Sequence, residues 1–370
     1  MSPLVWDLGH IAAYEDLWLA HRYGGLDLLR MDLAEVYDAF ETPRSVRGSI
    51  ELLGRAEALA YLEEVRERTS ELVSRSGVGD GTIFELVLRH ELQHSETMRQ
   101  TLAIAGLLPA GEPRLGPLGG EDGWIAVPGG PFAMGSGPEG FAYDNERPRH
   151  LLDIGPFQIA RRPVSNGSWM RFSEGGGYER REWWSAEGWA WKQEYDITRH
   201  PDVAAGDPDS PVCHVSWFEA DAFARAHGAR LPTEAEWEKA ATAGARERPG
   251  SDGEKAPNAP NADEKAAATA GARERPGSDG ESVEGLVGVG LVGVGLVWEW
   301  TQSPFGGYPG FIAHPYREYS EVFFGDEYRV LRGGSWATDA RIASPRFRNW
   351  DLPIRRQIFS GVRLARDGEL

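Results

Sequence analysis

The sequence predicts an α+β chain: a helical bundle over residues 1–108, a linker over 109–123, and a part with little regular structure over 124–370. Three observations carry this reading. From Ile83 to Gln100 the chain has neither Pro nor Gly and is rich in good helix formers. Residues 109–123 hold Pro109, Gly111, Pro113, Gly116, Pro117, Gly119 and Gly120, a linker composition. From Trp124 onward, Pro and Gly punctuate short strand-like runs and tryptophans are scattered to the end, as a loop-rich fold needs large side chains for its core.

The first helix is read around Trp6-Asp7-Leu8-Gly9-His10-Ile11-Ala12-Ala13-Tyr14, with Trp6, His10 and Tyr14 on one face. After the Gly24-Gly25 break comes a segment to about Phe40, then a link containing Pro43 and a helix from about Arg55 to Ser74. Gly77-Val78-Gly79-Asp80-Gly81 stops that helix. The next helix carries His90-Glu91-Leu92-Gln93-His94-Ser95-Glu96. Residues four apart share a helical face with Cβ atoms about 6 Å apart, so His90 and His94 can hold one metal ion between them. His10 is the expected third ligand, placed between facing helices of an up-down bundle. Imidazole suits Zn, Cu, Fe and Ni, so the ligand type does not name the metal. His90-Glu91-x-x-His94 is also the string of zinc metallopeptidases, with Glu91 as the would-be general base. A helical His pair that merely packs is the plain alternative.

Farther on, Thr233 and Glu236 form the signature of a capping box. Trp183, Trp184, Trp189 and Trp191 are expected to pack rather than to stack a ligand, and Cys213 to act as a small buried hydrophobe. Residues 240–297 are anomalous: Ala241–Glu254 recurs without change at Ala268–Glu281, followed by the Gly-Val-Leu repeat of 285–297. Within it Gly288–Gly293 fits G-x-G-x-x-G, but no strand-turn-helix unit surrounds the match, which is read as a by-product of low complexity. The loop from Gly306 to Tyr319 is rich in tyrosine and is the kind of surface segment that carries binding and catalytic groups.

Composition bounds the function. At 370 residues with 41% hydrophobic content, about two domains with real cores are expected. No apolar run reaches the roughly 18 to 20 residues of a membrane span and no signal-like segment is visible, so the expectation is a cytoplasmic protein. A single cysteine, Cys213, excludes an intrachain disulfide framework and Cys-rich zinc sites. With Lys+Arg 39 against Asp+Glu 57 and a net charge of −18, nucleic acid and anionic membranes are unfavourable partners. A small anionic substrate would have to be met by locally gathered arginines, of which Arg355-Arg356 is the obvious pair.

Ser2-Pro3-Leu4-Val5-Trp6-Asp7-Leu8-Gly9-His10, the H-E-L-Q-H-S-E string, and Arg348-Asn349-Trp350-Asp351 with Arg355-Arg356-Gln357 together resemble the iron-dependent sulfoxide synthases of ergothioneine biosynthesis, over nearly the whole chain. The N-terminal part is similar to a DinB-like helical bundle. Pro163–Asn166, Val215–Trp217, Arg230–Glu238, Trp298–Thr301 and Leu331–Trp336 resemble the formylglycine-generating-enzyme fold, a domain related to C-type lectins.

The resemblance implies Fe(II) on His10, His90 and His94, three neutral histidines in place of the commoner two-His-one-carboxylate set. It implies the substrates hercynine, a thiol (γ-glutamylcysteine or cysteine) and O2, joined into a sulfoxide at C2 of the imidazole. Tyr316 and Tyr319 match the tyrosine pair that reaches the iron, the first as proton donor. Gln93 and Trp350 are implied to touch hercynine; Asp351, Arg355 and an arginine of the first domain, Arg47 or else Arg44, to hold the charged ends of the thiol. Glu96 is expected to orient a histidine from behind, and His314 has no assigned role. A selenium donor in place of the thiol, a zinc peptidase and a non-catalytic binding protein remain the alternatives.

The repeat generates the first prediction. Its Arg-Glu-Arg-Pro-Gly-Ser-Asp-Gly is polar and turn-forming and adds little core, and lengthening a loop costs only about 0.6 kcal/mol per doubling. Deleting 268–281 is expected to leave metal content and melting temperature nearly unchanged; loss of soluble protein would show the copy to be structural.

Overall fold

The computed structural model describes residues 1–110, 115–201, 206–243 and 291–368. Helix α1 (Leu4–Glu15) continues directly into a wider π-helical stretch, Asp16–Tyr23. Helices α2 (Arg55–Ser76) and α3 (Thr82–Ile104) complete the N-terminal helices. Ile11 and Ala12 of α1 pack on Tyr61, Leu62 and Val65 of α2, and Gly77, at φ 70°, ends α2 with a positive φ that glycine tolerates.

The segment to Phe40 forms only one short 3₁₀ turn, Met31–Leu33, and otherwise lies as irregular chain against α1. Trp6 Nε1 donates to the Val36 carbonyl at 3.0 Å, and the Tyr37 ring lies on Gly9 so closely that a Cβ there would sit 2.3 Å from it. Gly9 is therefore a contact requirement: without it Tyr37 could not pack and its carbonyl could not reach His10.

The C-terminal part has the expected scarcity of regular structure. Strands β1 (Trp124–Val127), β4 (Phe157–Ala160) and β9 (Ala365–Asp367) form an antiparallel sheet in the order β1-β4-β9, and β2 (Gly130–Met134) pairs with β3 (His150–Ile154). A second sheet has the order β7-β6-β5-β8, from β5 (Trp298–Phe305), β6 (Gly325–Arg332), β7 (Asn349–Asp351) and β8 (Ser360–Gly361). Four short helices, α4 (Asn166–Glu174), α5 (Ala186–Glu194), α6 (Trp217–Ala226) and α7 (Glu234–Thr242), pack around the sheets. Thr233 caps α7, accepting from Glu236 N at 3.0 Å, while Glu236 accepts from Thr233 N at 2.8 Å.

Tryptophans build the core as expected: Trp184 and Trp191 are buried in it, with Trp183 and Trp189 partly buried against it. The tail of the low-complexity repeat belongs to the core as well. Leu291 and Val297 are buried and Val292 donates its N–H to the Arg161 carbonyl. Residues 291–293 run in a loop and lead to β5, with no helix following, so this end of the G-x-G-x-x-G match has no dinucleotide-binding context; Gly288 to Gly290 and the duplicated copy at 268–281 lie outside the described residues. Among the described residues no helix is long and apolar enough to cross a membrane.

Helix α3 joins the two parts. Leu86 is buried in the C-terminal core and Leu92 packs against it. Glu96 does not orient a histidine, as the sequence reading expected. Its buried carboxylate accepts from Trp298 Nε1 at 2.7 Å, Ser335 Oγ at 2.7 Å and Thr338 Oγ1 at 2.6 Å. Near the other end of the helix, Glu85 accepts from Arg341 Nε at 3.1 Å. Glu96→Ala strands these buried donors, with Gln100 Nε2 at 3.4 Å a fourth, and is expected to cost about 3 kcal/mol or more, seen as a lowered melting temperature, with Glu96→Gln, which keeps one acceptor oxygen, less affected. Wild-type melting of Glu96→Ala would contradict this role.

Candidate metal centre

His10 on α1 and His90 and His94 on α3 converge in the interior of the helical part, with ligand atoms all within 4.8 Å of one another. His10 Nε2 and His90 Nε2 stand 3.0 Å apart. Two nitrogens each ~2.1 Å from one ion and at right angles about it would have that separation, given ordinary imidazole–metal bonds.

The outer nitrogens fix which atoms face inward. His10 Nδ1 donates to the Tyr37 carbonyl at 2.6 Å and His94 Nδ1 to Asp7 Oδ1 at 3.0 Å, so in each ring Nε2 is left as the free lone pair. Burial, with His94 nearby, pushes the His10 and His90 imidazoles well below their ordinary pKa, which keeps them neutral as a ligand must be. Stacking holds the ring planes. Trp6 stacks on His10 at 4.7 Å and Tyr14 on His90 at 3.7 Å. The residues present thus fit a metal ion held by three neutral imidazoles.

Glu91 turns away: it pairs with Arg66 of α2 and is outside the cluster of potential ligands. A zinc peptidase would need that carboxylate beside the metal, so the geometry removes the meaning of the H-E-x-x-H string.

Of the other residues singled out in the sequence, Tyr316 is linked to the centre through Tyr14, which stacks on His90. Its hydroxyl lies 3.0 Å from that of Tyr14, and its ring 4.8 Å from Trp18. Burial raises the Tyr316 phenol to about 12. Tyr319 is also raised by burial, interacts with Gln93, and stacks on Tyr143 at 4.8 Å. Trp350 stacks on Phe305 at 4.1 Å with Tyr319 edge-on at 6.1 Å. Asp351 and Arg355 pair at 3.3 Å.

Two arginine assignments change. Arg47 is buried and spent on structure: it donates to the Thr42 carbonyl at 2.9 Å and Ser2 Oγ at 2.9 Å and lies 3.4 Å over the Trp6 ring. It backs the Trp6–His10 stack and is not free to grip an incoming carboxylate, whereas Arg44 is exposed and near Arg355, whose pKa is lowered first by burial and further by the Arg44 charge. The Arg355-Arg356 pair splits, because Arg356 turns to buried Glu219 at 3.1 Å. His314 is an exposed loop residue whose N–H donates to Asp144.

Sequence reasoning missed Asp7 and Tyr14 as site residues. Asp7 stands three residues before His10 on a helix, a spacing that could have marked it, but its partner His94 is remote in sequence. Tyr14 lay on the recognised Trp6–His10 face, and only the fold brings Tyr316 to it.

A loop-rich domain joined to helices that converge three imidazoles on one point is the architecture of an enzyme with a candidate metal centre. Residues 116–368 match the family of the sulfatase-modifying factor enzyme 1-like domain. The hercynine oxygenase of Mycolicibacterium smegmatis is 44% identical over 99% of this chain and 91% of its own length, and that of Mycobacterium tuberculosis 42% identical over 99% and 91%. The formylglycine-generating enzyme of Streptomyces coelicolor is 34% identical over 39% of this chain and 55% of its own. The chain belongs to the hercynine oxygenase family and is an oxygen-dependent oxidoreductase.

The ligand geometry predicts that His10→Ala, His90→Ala and His94→Ala each abolish tight metal binding, that Asp7→Asn weakens it by about 10- to 100-fold, and that Glu91→Ala largely spares it. Metal titration of the apoprotein checks all five; one tightly bound ion in His10→Ala would contradict the site.

Proposed function

We propose that the protein joins hercynine to a thiol, γ-glutamylcysteine or cysteine, with O2, in ergothioneine biosynthesis, and that its metal is Fe(II) held by His10, His90 and His94. The observation that carries this reading is the three-imidazole cluster with the Tyr316 hydroxyl brought by a distant loop to Tyr14, the residue stacked on His90. The family relationship supports hercynine and O2 as substrates. In balance, the C2–H of the imidazole and the S–H of the thiol are lost, a C–S bond forms, one oxygen atom becomes the sulfoxide oxygen and the other leaves as water.

Fe(II) on three neutral imidazoles would keep coordination positions open and supply the electrons that activate O2. The chain's own residues do the rest. Gln93 and Trp350 flank Tyr319 and form the side on which hercynine would lie. Arg355, steered by Asp351, with exposed Arg44 in place of Arg47, would meet the carboxylates of the thiol substrate. Tyr316 Oη, held neutral by burial, keeps a proton ready for the oxygen that departs as water.

Removing only that proton tests the reading. Tyr316→Phe is expected to slow coupling by about 10²- to 10⁴-fold and to divert thiol and O2 to the sulfinic acid, which needs no second substrate and no proton at that point. Measuring sulfoxide and sulfinate together, with Tyr319→Phe as control, checks it. An unchanged ratio in Tyr316→Phe would remove Tyr316 from the chemistry, and a shift confined to Tyr319→Phe would move the role to that residue.

A further inference from the structure

We infer that Tyr14 is a positioning residue for the reaction: its hydroxyl fixes the Tyr316 hydroxyl so that the Tyr316 proton points into the metal centre. The inference rests on the reading of Tyr316 as proton donor.

Two buried phenols 3.0 Å apart share one hydrogen bond, and each has one proton to give and lone pairs to accept with. Whichever donates commits its only proton to the pair. If Tyr316 donated, its proton would be turned toward Tyr14 and away from the reacting oxygen. If Tyr14 donates, the Tyr316 proton stays free for the site, and Tyr14 already points at the phenolate oxygen left once that proton is delivered.

The surroundings favour the second arrangement. Among the described residues, Tyr316 is the hydrogen-bond partner of the Tyr14 hydroxyl. The Tyr14 ring cannot swing away to find another, because it is stacked on His90 at 3.7 Å and 15°. Tyr316 is also held by Trp18, with ring centroids 4.8 Å apart. Tyr14 lies one helical turn beyond His10 on α1, so the helix that supplies one ligand also sets the direction of the donor. The loop that brings Tyr316 comes from 302 residues away in the chain, and this bond puts it in register with the histidines.

The test uses Fe(II)-loaded full-length protein with hercynine, thiol and O2, comparing wild type, Tyr14→Phe, Tyr316→Phe and the double variant. The expected result is that Tyr14→Phe moves the sulfoxide-to-sulfinate ratio toward sulfinate by about 3- to 10-fold, the value of one hydrogen bond. The double variant should be no further shifted than Tyr316→Phe, since Tyr14 acts only through that residue. Replacing Tyr14 by 4-aminophenylalanine, which keeps the ring and restores an N–H donor, should return the ratio toward wild type. In the apoprotein, Tyr14→Phe should also speed amide hydrogen exchange over 306–320, a readout independent of turnover.

If Tyr316→Phe shifts the ratio and Tyr14→Phe does not, the inference fails while the proposed function stands. If Tyr316→Phe itself leaves the ratio unchanged, the reading beneath it fails and the inference with it. A Tyr14→Phe protein that loses metal affinity tenfold with its ratio unchanged would mark Tyr14 as packing for His90 alone, and additive shifts in the double variant would equally overturn the proposal.

Discussion

The metal helix is held in place by a carboxylate that never touches the metal. Glu96 lies on α3 two residues beyond His94 and takes three hydrogen bonds from the C-terminal part, from Trp298, Ser335 and Thr338. A buried charge is costly unless it is fully bonded, so these contacts admit one seating of α3 on the C-terminal sheets. Burial raises the pKa of Glu96 even against those bonds, a sign of how much desolvation the bonds must offset. With α3 seated, one face presents His90 and His94 to α1 and the adjoining face enters the C-terminal core through Leu86 and Leu92. Every relation between the imidazoles and the loop of Tyr316 depends on that seating.

The centre itself is organised from outside inward. Asp7 and the Tyr37 carbonyl fix the His94 and His10 rings by their Nδ1 atoms, and Trp6 and Tyr14 fix ring planes by stacking. Arg47 lies over Trp6, and a buried cation above an aromatic face steadies that column. A site held this way loses little entropy when it binds an ion, because the ligands are already ordered. The same economy explains why the irregular segment before Phe40 matters: it contributes Tyr37, and Tyr37 can approach only because position 9 is glycine.

Much of this was legible in the sequence, for identifiable reasons. His90 and His94 are four apart on an uninterrupted helix, Thr233 and Glu236 form a local capping box, and the tryptophans announce a loop-rich core. Each is a short-range signal. Arg47, Arg356 and Glu96 were misread because their partners, Trp6, Glu219 and Trp298, are fixed by tertiary packing, and a charged residue near a motif reads equally well as ligand grip or as structural tie. Tyr14, placed only on the Trp6–His10 face, and Asp7 received no role for the converse reason: their partners, Tyr316 and His94, are brought to them only by the fold.

The most direct test is a crystal structure of the protein loaded anaerobically with Fe(II) and soaked with hercynine. The account predicts one ion bonded to Nε2 of His10, His90 and His94, with Asp7 still on His94 Nδ1, Glu91 on Arg66, and hercynine on the side of Gln93 and Trp350. An ion bound by Glu91, or held elsewhere with the three imidazoles bare, would contradict it.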